Sequence, residues 1–183
     1  MLALLVAGLA AWPPPATRAE EPAPTEYQVK AAWLLNFARF IDWPPETLGS
    51  NNAPMVIGVL GADPFGADLE NTLRDVAVYN RKFLVQRNPS EAEARRCHML
   101  FLSSSERKRH REILEKLQGA PVLTVGETDE FIAQGGMINF GLKDNTVRFA
   151  VNLDAAGPAG LKISAKMLKV ALSVKGRYTK EKE

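Results

Sequence analysis

Gly61 and Gly66 in "GADPFGAD" have the spacing of the two glycines of a phosphate-binding loop, and they follow an apolar run. Such a loop cradles phosphate with backbone N–H groups and continues with Lys and Ser or Thr. Here Ala67 and Asp68 follow, and a carboxylate at a helix start repels the anion that the N-terminal dipole would attract. The segment reads as a capped strand-to-helix turn. "SSSERKRHRE", residues 103–112, offers hydroxyls beside a run of cations. A serine nucleophile needs a base and an elbow of the Gly-x-Ser-x-Gly kind, and neither is present. The cations could meet nucleic acid or an acidic membrane. Glu106, Glu112 and Glu115 share their helix, however, and Lys108 can pair with Glu112 one turn on, so the stretch reads as a solvated face. Cys97 adjoins His98, and His110 is the only other His. That is too small a ligand set for zinc. No metal, cofactor or catalytic constellation is expected. Near the C-terminus, steps of about 100° per residue gather Lys162, Lys166 and Lys169 beside Ser173, with Leu168, Val170, Ala171, Leu172 and Val174 on a wider apolar arc. This predicts a core-packing helix with a Lys stripe in water; a seat on a membrane surface is the alternative.

The elements that would carry these groups alternate. A helix is expected over 26–42, stopped by Pro44. "PMVIGVLG" (54–61) reads as a buried strand, and Asp63 and Pro64 as the N-cap and first residue of a helix reaching Arg74. A strand within 77–88, a short helix from Pro89, and a third strand, "CHMLFLS" (97–103), come next. Ser103 and Glu106 have capping-box spacing for a helix to Leu117. "PVLTVG" (121–126) is a fourth strand, and "DEFIAQ" a single helical turn. "GGMINFGL" and "NTVRFAVNL" form a hairpin through "KDN", and a helix from Ser164 to Lys175 closes the chain. This order predicts a three-layer α/β domain. Its mixed, mainly parallel central sheet is flanked by helices, with a C-terminal β-hairpin plus helix.

The 183 residues, 46% of them hydrophobic, suffice for one core. "MLALLVAGLAA" has the length of a signal-peptide core, though no Lys or Arg precedes it, and "TRA" offers cleavage after Ala19. The expected organisation is a signal peptide (1–19), a Pro-rich lead-in (20–25), one domain (26–176) and a polar tail (177–183). Loss of Arg18 with the signal lowers the formal charge from +2 to +1, which supplies no field for nucleic acid. A lone cysteine, Cys97, permits no internal disulfide. It is expected as a small apolar strand residue, with an intermolecular disulfide as the alternative.

"KAAWLLNFARFIDWPP" (30–45) is densely aromatic. A helical projection groups Val29, Trp33, Asn36, Phe37, Phe40 and Ile41 on one arc, opposite Arg39 and Asp42. Most of its aromatics are therefore expected in the core. Leu35 falls on the polar side and is expected to be exposed. Asn36 falls within the apolar arc, where its amide should bond a backbone edge or a neighbouring chain.

This stretch, with "VIGVLGADPFG", "CHMLFLS", "VLTVG", "GGMINF", "VRFAVN" and "GLKISAKMLKVA" in the same order, resembles the YfiR family of bacterial periplasmic regulators over Tyr27 to Lys175. The resemblance implies a small, often dimeric α/β protein that works by binding. It implies repression of an inner-membrane diguanylate cyclase, and so lower cyclic di-GMP and altered biofilm formation. A sensor kinase is the other candidate partner, and an outer-membrane lipoprotein the one that would sequester the repressor. Better-known members carry several cysteines; this chain has one. Leu35, Asn36, Leu142, Phe149, Leu161 and Ile163 are the expected partner-contact residues, the last four because they lie near turns. The alternative is a small-molecule-binding module serving a sensor histidine kinase. Its ligand would lie between the loops Gly61–Phe65 and Ser103–Ser105, at the carboxyl ends of parallel strands.

Overall fold

A computed structural model describes residues 23–49 and 53–177. The expected signal peptide, half of the lead-in and nearly all of the polar tail lie outside them. Helix α1 spans Glu26–Phe40 and is fixed at its start by a capping box. Thr25 Oγ1 accepts from the Gln28 N–H, and the Gln28 side chain accepts from the Thr25 N–H. The helix ends two residues before the expected boundary. Ile41–Asp42 form strand β1, extended ahead of Trp43 and Pro44 and paired with a strand far along the chain.

Strand β2 (Met55–Leu60) leads into the Gly61 loop. The expected helix at Asp63 is absent. Asp63 accepts from the Phe65 N–H at 2.9 Å and receives Arg87 at 2.7 Å, which holds the segment as a turn. Helix α2 begins only at Asp68 and ends at Leu73. The region read as one strand is a hairpin, β3 (Ala77–Val78) and β4 (Arg81–Arg87). Tyr79 and Asn80 both have positive φ at its turn. Ser90 caps the short helix α3 (Glu91–Ala94), again with a capping box, and β5 (Met99–Leu102) follows. Ser103 caps a 3-10 segment, Ser104–Arg109, before helix α4 (His110–Lys116). Glu106 bonds Arg109 instead of completing the expected box. Then come β6 (Leu123–Gly126) and the hairpin of β7 (Ile138–Lys143) and β8 (Thr146–Asn152), with Asp144 and Asn145 at positive φ. Helix α5 (Leu153–Ala156), β9 (Lys162–Ile163), helix α6 (Ala165–Val170) and β10 (Ser173–Lys175) complete the chain.

The closing helix therefore stops five residues early. Ala171 is extended, and the next residues join the sheet beside β8, with the Leu172 N–H on the Phe149 carbonyl at 2.8 Å. The eight strands lie in the order β10-β8-β7-β6-β5-β2-β4-β3. Neighbours from β4 through β7 are parallel, while β8 and β3 run antiparallel to their partners β7 and β4. Helices cover both faces, as the alternation of elements requires. One core layer, under α1, α2 and α6, holds Phe37, Phe101, Phe140 and Phe149. The other, under α4, holds Leu100, Leu102, Leu114 and Phe131.

Candidate partner-binding surface

The groups that suggested chemistry in the sequence are bound to one another. The Gly61 N–H donates to Asn88 Oδ1 and the Ala62 N–H to Ser105 Oγ, both at 2.9 Å. A Cβ on Gly61, whose φ is +93°, would lie 2.4 Å from that Ser105 oxygen. The amides a phosphate would use are thus taken, and the crevice expected between the loops after β2 and β5 is filled. Arg87 binds Asp63, Glu70 and the Gly66 carbonyl, closing the same loop from the other side. Its guanidinium pKa is raised, first by the hydrogen bond to Glu70.

In the basic run Arg109 pairs with Glu106 at 2.9 Å and Arg107 with Glu130 at 3.7 Å, and further along Lys116 pairs with Glu91 and Glu112 at 2.9 and 3.1 Å. Glu112 takes Lys116 and Arg109 as partners, not the expected Lys108. His110 bonds the carbonyl of Ser103, not its hydroxyl, and its other ring nitrogen meets the Thr128 hydroxyl. Cys97 precedes β5, buried, with its thiol 3.5 Å from the Glu93 carbonyl. Burial pushes that thiol up to about 11, so it is neither nucleophilic at neutral pH nor within reach of a second chain.

One polar cluster had no signal in the sequence. Lys30 on α1 reaches across to Glu127, just after β6, at 2.8 Å, with both side chains almost wholly buried. Tyr27 and the Ser104 N–H donate to the same carboxylate, each at 3.3 Å. Burial opposes the charge on Lys30, but hydrogen bonds to Glu127 and Glu26 outweigh it and raise its pKa. The cluster pins α1 to the carboxyl ends of the strands, and all its members are consumed in doing so.

The residues expected at a partner surface divide. Leu35 is buried because α2 packs along that side of α1. Phe149 lies under Trp33 and Phe37, with ring centroids 4.8 and 5.1 Å apart. Leu161 is buried with Ile163, which β9 sets opposite Ile41. Four of the six are therefore core. Leu142, at the hairpin tip, is 57% exposed. Asn36 is half-buried and lines a groove of about 250 Å³ between α1 and α6, together with Trp33, Phe37, Phe40, Lys166, Met167 and Val170.

Near that groove stand exposed apolar residues. Phe40 is 38% exposed although the projection placed it inside, and Val170, Leu172 and Val174 are 52%, 51% and 41% exposed. Val174 sits opposite Val151, whose side chain is in the core beneath α1, so Val174 projects toward the same face. Leu172, just before β10, is exposed as well. Lys166 and Lys169 stand exposed on α6 beside it. Val170 is exposed on α6 itself, whereas Leu172 and Val174 follow the break at Ala171. A second, more polar hollow of about 690 Å³ lies between the α5–β9 connection and Arg177, with Asp42, Asp154 and Lys162 on its walls.

Fold and surface together define an α/β domain with exposed apolar and cationic side chains around the α1–α6 groove. The chain belongs to the YfiR/HmsC-like family, whose model matches residues 27–172. Two solved structures share the fold. A conserved domain protein from Vibrio cholerae O1 biovar El Tor is 12% identical at a TM-score of 0.55, covering 82% of this chain and 60% of its own. The ABC domain in complex with L-Trp from Streptococcus pneumonia is 12% identical at a TM-score of 0.52, covering 81% and 60%. The chain spans about 60% of the length of each. No described helix is long and apolar enough to cross a membrane.

Proposed function

We propose that this protein is an exported, periplasmic regulator that binds the periplasmic part of an inner-membrane signalling protein. The partner favoured by the family resemblance is a diguanylate cyclase, which the protein would repress, lowering cyclic di-GMP. A sensor kinase is the other candidate, and an outer-membrane lipoprotein is the protein that would draw the repressor off. It acts as a homodimer and by binding, not catalysis. The observation that carries this reading is the exposed apolar face of Phe40, Val170, Leu172 and Val174 beside the α1–α6 groove. Clustered exposed apolar residues on an otherwise polar surface mark an interaction site. Deleting the protein should raise cyclic di-GMP, and wild-type protein should restore it. The double variant Phe40→Glu/Val170→Glu should fold normally and fail to restore it. Unchanged cyclic di-GMP and unchanged output of neighbouring sensors on deletion would sink the reading.

The polar hollow walled by Asp42, Asp154 and Lys162 supports a second reading, a small-molecule-binding module serving a sensor kinase. Ligand-dependent thermal shifts that disappear in Asp154→Ala would favour it. A metabolite screen without any shift would count against it.

A further inference from the structure

Asn152 ends β8 and is only 2% exposed, yet its side-chain oxygen has no hydrogen-bond partner among the described residues. The orientation of its amide is fixed. Both amide hydrogens are taken, Nδ2 donating to the Gly136 carbonyl at 3.1 Å and to the Ile132 carbonyl at 3.4 Å. Although Asn152 stands at the N-cap of α5, its oxygen accepts no bond from that helix. Gln134 repeats the pattern: Nε2 turns to the Glu130 carboxylate at 3.4 Å, and Oε1 is buried without a partner. Folded proteins keep few such acceptors, because each forfeits its bonds to water.

The two acceptors share one place. Asn152 and Gln134 line a hollow of about 300 Å³ between the end of α4, the turn before β7 and the start of α5. Thr124, 2% exposed, lines it too; its Oγ1 accepts from the Met137 N–H at 3.1 Å and keeps a second lone pair. Leu114, Leu117 and Met137 supply apolar wall. Glu115 and Asp154 stand exposed at the rim, and Lys175, set beside Asn152 by the β10–β8 register, offsets one of these two charges.

We propose that this hollow binds a small organic primary ammonium ion, its N–H groups on Asn152 Oδ1 and Gln134 Oε1 and its carbon chain against Leu114, Leu117 and Met137. An ammonium has three donors and no acceptor, which suits a floor that offers acceptors. The net negative rim favours entry of a cation. A bare metal ion suits the hollow less well, since no three His, Cys, Asp or Glu converge among the described residues. Val151 faces the core beneath α1, so its neighbour Asn152 points to the opposite side of the sheet. The ammonium site and the α1–α6 groove therefore lie on different faces, and neither occupant blocks the other.

Calorimetric titration of the purified protein with n-butylamine, at neutral pH and low salt, is the test. Butylamine should bind one to one at millimolar concentration. Tetramethylammonium carries the charge without the donors, and n-butanol carries one donor without the charge. Each should bind about tenfold more weakly or worse, as hydrogen bonds from a charged donor are the strong ones. Asn152→Ala also gives up the bonds to Gly136 and Ile132 and so loses fold along with acceptor. Gln134→Met is the deciding variant, because that side chain is only half-buried. It should keep the wild-type far-UV spectrum and weaken butylamine about tenfold. Asp42→Ala, in the separate hollow of about 690 Å³, should leave butylamine binding unchanged. Absence of any butylamine heat, tetramethylammonium binding as tightly as butylamine, or full affinity in Gln134→Met would each overturn the site. Loss of binding in Asp42→Ala would overturn it as well, by placing the amine in the other hollow.

Discussion

Replacing Lys30 by Met should be among the costliest single changes in the protein. The ammonium lies 2.8 Å from Glu127 with about a twentieth of either side chain exposed. Without it, the carboxylate keeps only the Tyr27 hydroxyl and the Ser104 N–H, each at 3.3 Å. Breaking a buried pair from one side costs about 3–5 kcal/mol, because the remaining charge stays buried without compensation. Glu127→Gln should cost less, about 2–3 kcal/mol, since Lys30 keeps Glu26 at 2.5 Å, where water can also reach. The double variant Lys30→Met/Glu127→Gln has no stranded charge, and its amide still accepts from Tyr27. It should be more stable than the sum of the singles by about 1–3 kcal/mol. Equilibrium urea unfolding at constant m-value measures all three. The folded-state pKa of both Lys30 and Tyr27 is raised. Their contribution is complete below the ordinary lysine and tyrosine range and is lost as pH rises through the folded values. The wild type should therefore lose stability on the alkaline side, and Lys30→Met should lose less. A Lys30→Met cost below about 1 kcal/mol, or singles that simply add, would refute the picture of a dry, mutually dependent pair.

The two histidines give a test at the other end of the pH scale. Burial, first of all, lowers the pKa of both His98 and His110, so the native state holds them neutral while the unfolded chain takes up protons. Stability should be full above the ordinary imidazole range and fall as pH drops through it; His110→Asn should flatten thermal melting against pH, and an unaltered slope would contradict this. Gly61→Ala sets a Cβ 2.4 Å from Ser105 Oγ at a φ of +93°, and strain plus overpacking should cost about 2–4 kcal/mol, read as a lowered melting temperature. Trp43→Phe removes the indole bond to the His98 carbonyl at 3.2 Å, but that carbonyl keeps the Leu123 N–H at 2.9 Å; a loss of about 0.5–1.5 kcal/mol in urea unfolding is expected. Asn36→Leu should leave stability within about 0.5 kcal/mol, since Asn36 is half-buried at the groove. A larger loss would show that its amide has an intramolecular partner after all.

What the sequence revealed and what it concealed have a common physical explanation. β2, β5 and β6 were legible because a parallel strand covered on both faces must be a largely apolar run, whatever its neighbours. The hairpin of β7 and β8 was legible because Asp144 and Asn145 supply positive φ locally. β3 and β4 were merged because Tyr79, an unusual residue at positive φ, gives no turn signal. The Lys30–Glu127 pair joins residues 97 apart, and nothing near either predicts the other. Leu35 was misplaced because a helical projection sees one core face, while α1 is covered by α2 on a second.

The C-terminal segment is the most instructive case. "VALSVK" (170–175) satisfies helical periodicity and strand propensity alike, so no local rule decides it. The edge of β8 decides it, by offering the Phe149 carbonyl to the Leu172 N–H. A strand sends alternate side chains to opposite faces, whereas the helix would have turned one arc inward. Leu172 and Val174 therefore stand exposed at or beside the sheet-edge strand β10. The placement of Leu172 and Val174 is thus a consequence of tertiary pairing overriding local periodicity. A reading of hydrophobic pattern alone would assign these same residues to the core, which is why an interaction surface of this kind becomes visible only with the sheet assembled.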